Sequence, residues 1–250
     1  PYETVQFNEG LSEMATIICG GDYISHAHYL NNADQTGWTW QSSAAHYSMA
    51  SLFVLYFVEQ LGDASIKDFI QMKAGGNPKQ SWQAFDQLMQ NYNTGLTHKE
   101  WLMNWFTANY LNNNLLNSKF GYQQWMPMGA RVTEKHLSGE VESTNNQLKD
   151  YSANYIAYES STDSMEITFS ATSSGSPKYR SLEFNDSTVV VNTLSNATKH
   201  LLYHDSLKVN SALFIVASTE NRSITYQYES EGTDASGWTG FEEIAYDDNE

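Results

Sequence analysis

Two carboxylates one helical turn apart stand near the start of the chain. In Asn8-Glu9-Gly10-Leu11-Ser12-Glu13, Glu9 and Glu13 are four residues apart and share a face if the segment is helical. On such a face one carboxylate can bind a metal while the other orients a neighbouring ligand, so the stretch looks like half of a zinc site. The other half is absent, because no His-Glu-x-x-His occurs in the 250 residues. The same six residues also suit an exposed acidic strip on an amphipathic helix, with Asn8 as cap and Glu9 complementing the macrodipole.

Other residues with chemical potential are sparser. His26-Ala27-His28 places two imidazoles two residues apart, a spacing that on a strand turns both to one face. No carboxylate or cysteine at ligand spacing completes a site there, which favours a cleft loop or a polar turn. Residues 23–40, with Trp38 and Trp40, read as a long polar loop between helices, either a cleft wall whose aromatics grip an extended peptide or a loop packed down by its own tryptophans. His98 follows a helix cap, while His136, His200 and His204 fall in the second half; all four read as structural or solvated.

The elements that must position these groups follow from periodicity. Leu11, Met14, Ala15 and Ile18 keep a helical period, and Gly20-Gly21 is a stop. Residues 42–61 are apolar on every side in their middle, from Leu52 to Val58, which predicts a buried central helix. Asp63 is placed to cap a short helix ending near Met72. Asn77-Pro78 reads as the cap and first position of a helix carrying Trp82, Phe85, Leu88 and Met89. Thr97 with Glu100 makes a capping box before the stripe Trp101, Leu102, Trp105, Phe106 and Tyr110, which reads as core.

After residue 137 the texture changes to short alternating segments at 154–158, 165–169, 188–191, 201–204, 213–217 and 224–228. Such spacing predicts an antiparallel β-sandwich. The chain is therefore read as α+β, with a helical part at 1–137, a linker at 138–150, a β-sandwich at 151–230 and an acidic tail at 231–250.

Thirteen basic against 29 acidic residues give a net charge of −16, which opposes binding to phosphate backbones and anionic membranes; nucleic acid is excluded as a partner class. The longest strongly apolar run, residues 52–58, falls far short of the roughly 20 residues that span a bilayer, so no membrane span is expected. Cys19 is the single cysteine, which rules out an intrachain disulfide. Abundant Asn, Ser, Thr and Tyr with few Lys and Arg suit an exported protein. The opening Pro-Tyr-Glu, without Met or a leader, suits a trimmed one.

Three ordered segments carry a family resemblance. Residues 9–13 resemble the Glu-x-x-Ser-Asp segment of thermolysin-like peptidases and the Asn-Glu-Gly segment of aminopeptidase-N-like enzymes. They resemble most the Asn-Glu-Gly-Leu-Ser-Glu form of hyicolysin-like bacterial metallopeptidases. Residues 46–62, from His46-Tyr47 through the apolar run to Glu59-Gln60-Leu61-Gly62, are similar to the helix that follows the zinc helix in the latter two groups. Trp101-Leu-Met-Asn-Trp-Phe-Thr-Ala-Asn-Tyr-Leu111 is similar to a helix near the end of hyicolysin-like catalytic domains.

The resemblance implies roles. Glu9 becomes the third zinc ligand of a gluzincin-type centre and Glu13 the residue that orients a ligand histidine. Tyr47 becomes the hydrogen-bond donor to the oxyanion of the tetrahedral intermediate, with His46 as the alternative donor. The sequence departs from the family in lacking the helix that carries two histidines and the general-base glutamate. This implies that the chain alone binds no stoichiometric zinc and hydrolyses no peptide, and that the missing helix lies before Pro1 in the intact protein. The expectation is thus part of a secreted or cell-surface bacterial zinc metallopeptidase. Zinc is its cofactor when full-length, a polypeptide its substrate along residues 23–40, and the missing N-terminal portion a partner. A different class is also compatible: a non-catalytic surface protein whose peptidase-like helices are a scaffold and whose β-sandwich binds protein or glycan.

Overall fold

A computed structural model describes residues 4–22, 24–74, 77–78, 81–123, 129–137, 140–159, 162–185, 188–194, 199–203 and 211–234. The helices are α1 (Val5–Ile18), α2 (Ala27–Leu30), α3 (Ala44–Leu61), α4 (Ala64–Ile70), α5 (Ser81–Asn91) and α6 (His98–Leu111). A two-residue ladder, β1 (Lys73–Ala74) with β2 (Asn77–Pro78), interrupts them. The strands that follow are β3 (Glu134–His136), β4 (Val141–Leu148), β5 (Ala153–Tyr158), β6 (Thr162–Ala171), β7 (Lys178–Phe184), β8 (Val189–Leu194), β9 (Lys199–Tyr203), β10 (Ser211–Ala217) and β11 (Ile224–Asp234). The fold class is α+β, as expected.

The strands form two sheets. One has the order β3-β5-β10-β7-β8, antiparallel except where β3 runs parallel to β5. The other, β4-β11-β6-β9, is antiparallel throughout. The five-stranded sheet is covered on both faces. Ala153 and Tyr155 on β5, with Leu213, Ile215 and Ala217 on β10, join the core of the helices. Ile156 and Tyr158, with Ala212, Phe214 and Val216, join a second core with Ile167, Phe169, Tyr226 and Tyr228 of the other sheet. The period of two along a strand divides its side chains between these cores. The result is three layers: helices, sheet, sheet.

The helical layer packs as its sequence requires. Residues 48–58 of α3 are buried without interruption, so this helix runs through the middle of the layer. Phe53 meets Trp105 edge-on at 5.2 Å between ring centroids, and Tyr29 stacks on the same indole at 5.5 Å. The Thr97 and Glu100 capping box forms at the start of α6. Among the described residues no single helix is long and apolar enough to cross a membrane.

Several expectations need correction. The stretch 138–150 contains β4, an eight-residue strand paired with β11, where a linker was expected. Its sequence, Val-Glu-Ser-Thr-Asn-Asn-Gln-Leu, hides the strand because β4 edges its sheet and buries only Leu148 fully. Asn77-Pro78 pairs with Lys73-Ala74 rather than capping a helix, and α5 begins at Ser81. Asp63 stands at the start of α4 without a side-chain capping bond. Strands β3 and β7 were not foreseen. β11 takes in the first residues of the expected acidic tail, and residues 235–250 lie outside the described ones.

Arg180 on β7 pins the sheet to the helices. Its Nη1 lies 3.0 Å from the Met103 carbonyl, 3.1 Å from Asn104 Oδ1 and 2.7 Å from Thr107 Oγ1, all on α6. The guanidinium also sits over the Phe120 ring at 5.6 Å. Burial lowers its pKa to about 10, so it stays charged at neutral pH and its Nη1 finds its acceptors inside the protein, on α6. Arg180→Ala should therefore lower the unfolding free energy by roughly 2–3 kcal/mol in urea titration, the worth of hydrogen bonds to a charged group. A loss below about 0.5 kcal/mol, the usual scatter of surface substitutions, would show that the pin is not needed.

Candidate functional site

The site is built from one edge of α1, the first half of α3 and the segment between them. Gly10 brings the helices together: a Cβ there would lie 2.4 Å from the Ala50 carbonyl oxygen and 2.7 Å from Val54 Cγ2. Only glycine allows this approach. Residues 6, 9 and 13, spaced i, i+3, i+7, share one edge of α1 beside that contact. Gln6 Nε2 donates to the Trp38 carbonyl, and Glu13 Oε2 accepts the Ile24 N–H at 3.3 Å. Residues 24–38 are thus tied to both ends of the edge, with Glu9 between the ties. Glu9 itself is half-buried, and among the described residues its carboxylate has no hydrogen-bonding partner.

The same segment is held to α3. Ser48 Oγ donates to the His26 carbonyl at 2.9 Å and accepts the Tyr29 N–H at 3.1 Å. Ser51 Oγ lies 3.2 Å from His26 Nε2. These two serines interrupt an otherwise apolar stretch of α3, and their hydroxyls seat the loop. Desolvation lowers the His26 pKa to about 4, so the ring is neutral at pH 7. Ser12 and Thr16 bond instead to carbonyls one turn back in their own helix.

The structure separates the two candidate oxyanion donors. His46 is buried with both ring nitrogens engaged: Nε2 donates to the Thr39 carbonyl at 3.0 Å, leaving Nδ1 to accept the Ser43 hydroxyl at 2.6 Å. Burial lowers its pKa, against the opposing pull of the Thr39 carbonyl and Asp150. Tyr47 is half-buried and packs edge-on against Trp40 at 4.9 Å. It borders the segment that the α1 edge also borders. The His26-Ala27-His28 stretch is not a strand: residues 27–30 form a helical turn, with His26 buried and His28 exposed. The wall at 23–40 therefore holds α2, and Trp38 is core while Trp40 is half-exposed; Tyr23 lies outside the described residues.

His98 and His136 are in the fold's framework. His98 donates through Nδ1 to Asp86 at 2.8 Å, and its backbone N–H bonds the same carboxylate. His136 shares the Tyr228 hydroxyl with Glu134. His200 lies on β9 and His204 outside the described residues.

The donor set does not make a zinc centre by itself. Among the described residues no group of three His, Cys, Asp or Glu is arranged to hold a metal ion. The ring nitrogens of His46 and the Nε2 of His26 are occupied within the wall, and Glu13 is partly spent on Ile24. Among the described residues, Glu9 alone offers an uncommitted carboxylate on this edge.

No family model matches the chain, and no curated protein matches it. Among solved structures it is similar to the pre-peptidase C-terminal domain of a collagenase from Bacillus anthracis, at 7% identity and a TM-score of 0.29 over 40% of this chain and 95% of that one. It is also similar to a family GH115 4-O-methyl-α-glucuronidase with specificity for decorated arabinogalactans, at 10% identity and a TM-score of 0.24 over 94% of this chain and 34% of that one. A capsular polysaccharide assembling protein from Staphylococcus aureus gives 13% identity and a TM-score of 0.18 over 79% of this chain and 64% of that one. Scores this low assign neither a family nor an activity.

Sequence reasoning missed Gln6, Ser48 and Ser51. Gln6 carried a usable signal, since it lies three residues before Glu9 on the same helical edge. Two measurements check this geometry. Gly10→Ala should destabilise the protein by about 1–3 kcal/mol through overpacking, read by thermal unfolding; no change would mean the helices can part. Neutral His26 contributes stability in full above the unfolded pKa of 6.5, and loses it as pH falls toward about 4. Between those limits the wild-type protein should lose about 3 kcal/mol that a His26→Gln variant does not. Equal pH dependence of the two in urea unfolding would contradict this.

Proposed function

We propose that α1 and α3 carry the glutamate half of a zinc-dependent peptidase centre of the thermolysin-like ligand class. Its substrate is a polypeptide lying along residues 24–40. The observation that carries this reading is Glu9, a half-buried carboxylate without a partner among the described residues, in the middle of an edge whose neighbours are both tied to the wall. A carboxylate that no protein donor engages keeps its oxygen lone pairs available to a cation. The order of the three peptidase-like segments supports the same reading.

The chain's own residues have limited parts in this proposal. Glu9 is one ligand. Glu13 holds the wall through Ile24, and orienting a ligand histidine falls to its remaining acceptor capacity. Tyr47 is the candidate oxyanion donor, since both ring nitrogens of His46 are already bonded. Among the described residues no group of three His, Cys, Asp or Glu is arranged to hold a metal ion, so in this proposal the histidine pair comes from a separate stretch of polypeptide and this chain's residues carry no catalytic step alone. Secretion or cell-surface placement belongs to the same proposal and rests on composition alone.

The test is zinc content. Protein expressed from its complete reading frame should carry one zinc per chain, and the 250-residue chain alone none in stoichiometric amount. Glu9→Gln should weaken retention by at least the roughly 10–100-fold that loss of a supporting residue alone costs. Equal zinc content with and without Glu9 would overturn the ligand assignment.

A further inference from the structure

One buried carboxylate lies outside the α1–α3 site and yet reaches its wall. Asp150 stands on the turn between β4 and β5 and is 8% exposed. Its Oδ2 accepts the Thr39 hydroxyl at 2.9 Å, and its carbonyl accepts the Trp38 N–H at 2.9 Å. Gly37 presses against the same residue, since a Cβ there would lie 2.4 Å from Asp150 Oδ1 and 2.8 Å from Lys149 Cβ. Three consecutive wall residues, 37 to 39, are therefore docked on one turn of the β half.

The turn does not need the Asp150 side chain for its own shape. Ser152 Oγ donates to the Lys149 carbonyl at 2.9 Å, and the Tyr151 N–H to the Glu220 carbonyl at 3.3 Å. Tyr151 adopts φ of 49°, a left-handed conformation that is costly for a bulky residue. That conformation accompanies a ring packed on Trp82 at 5.0 Å and Trp38 at 6.2 Å. Both side chains of the turn are thus directed at the helical layer.

From Thr39 the contact runs on into the site. The Thr39 carbonyl accepts His46 Nε2–H, and Trp40 lies edge-on to His46 at 5.6 Å and to Tyr47 at 4.9 Å. We infer that Asp150 is a positioning residue for the α1–α3 site: bonded to Thr39, it fixes the Trp40–Tyr47 pair that a substrate peptide meets. What the site does rests on the function proposed above; the placement of the pair does not. The β half then belongs to the site's machinery, because its turn sets the wall that the helices only partly hold.

The experiment uses Asp150→Ala, Asp150→Asn and Thr39→Val in protein from the complete reading frame. Asp150→Asn keeps an acceptor for the Thr39 hydroxyl, and Thr39→Val removes the same bond from the exposed side. Asp150→Ala and Thr39→Val should speed amide hydrogen exchange in residues 38–47 and weaken the near-ultraviolet circular dichroism of the Trp40–Tyr47 pair, assigned with Trp40→Phe. Exchange in β5 and β10 should stay unchanged, and Asp150→Asn should restore both signals. Hydrolysis of an unstructured casein-derived peptide should fall by about 10–100-fold in kcat/KM for Asp150→Ala, the cost of a small misplacement. Unchanged exchange in residues 38–47, loosening spread equally through both sheets, or failure of Asp150→Asn to restore the signals would overturn the inference. Absence of zinc or of hydrolysis in the parent would instead overturn the proposed function, and the exchange and dichroism readouts would still decide the role of Asp150.

Discussion

A sheet buried on both faces has no free surface, and the five-stranded sheet here is in that position. Along β10, Leu213, Ile215 and Ala217 turn to the helices while Ala212, Phe214 and Val216 turn to the second sheet. Neither core can be removed without exposing half of every central strand, so the helices and the sandwich share one stabilising layer. The consequence for the site is positional. With β5 fixed against the helices, the turn that precedes it falls beside the loop between α1 and α3.

Polar groups inside these layers mark where apolar packing is not enough. Arg180 joins β7 to α6, Ser48 and Ser51 hold residues 26–29 on α3, and Asp150 holds residues 37–39. Each is buried, and a buried polar group stabilises only when its partners are in place. That conditionality makes these bonds selective for one arrangement of the loop, which apolar contacts alone would not be. The wall of the site is therefore set by a few directional bonds at its two ends, and among the described residues Glu9 is left without one.

Legibility from the sequence followed the range of the interaction. The all-round apolar stretch of α3 and the Thr97 and Glu100 capping box are local signals, and both elements formed as read. β10 and β11 carried enough β-branched and aromatic residues to be seen. β4 and β7 did not: one is a polar edge strand, and the other carries Arg180 and Glu183 in its middle, charged residues that suggest a surface loop until their partners are known. In the site, the shared edge of Glu9 and Glu13 was readable from their spacing. The engagement of His46 depended on Thr39, in a loop whose path periodicity does not give. Asp150 left no local trace, because its partner Thr39 is 111 residues away in sequence.

The proposal that Glu9 is a metal-binding carboxylate on this edge is tested most directly by anomalous scattering. Crystals of the protein from its complete reading frame, grown with zinc, should show a peak at the zinc edge about 2.0–2.2 Å from a Glu9 carboxylate oxygen, with imidazole nitrogens completing the ligand set. No peak there, with Glu9 instead paired to a protein donor, would contradict the account.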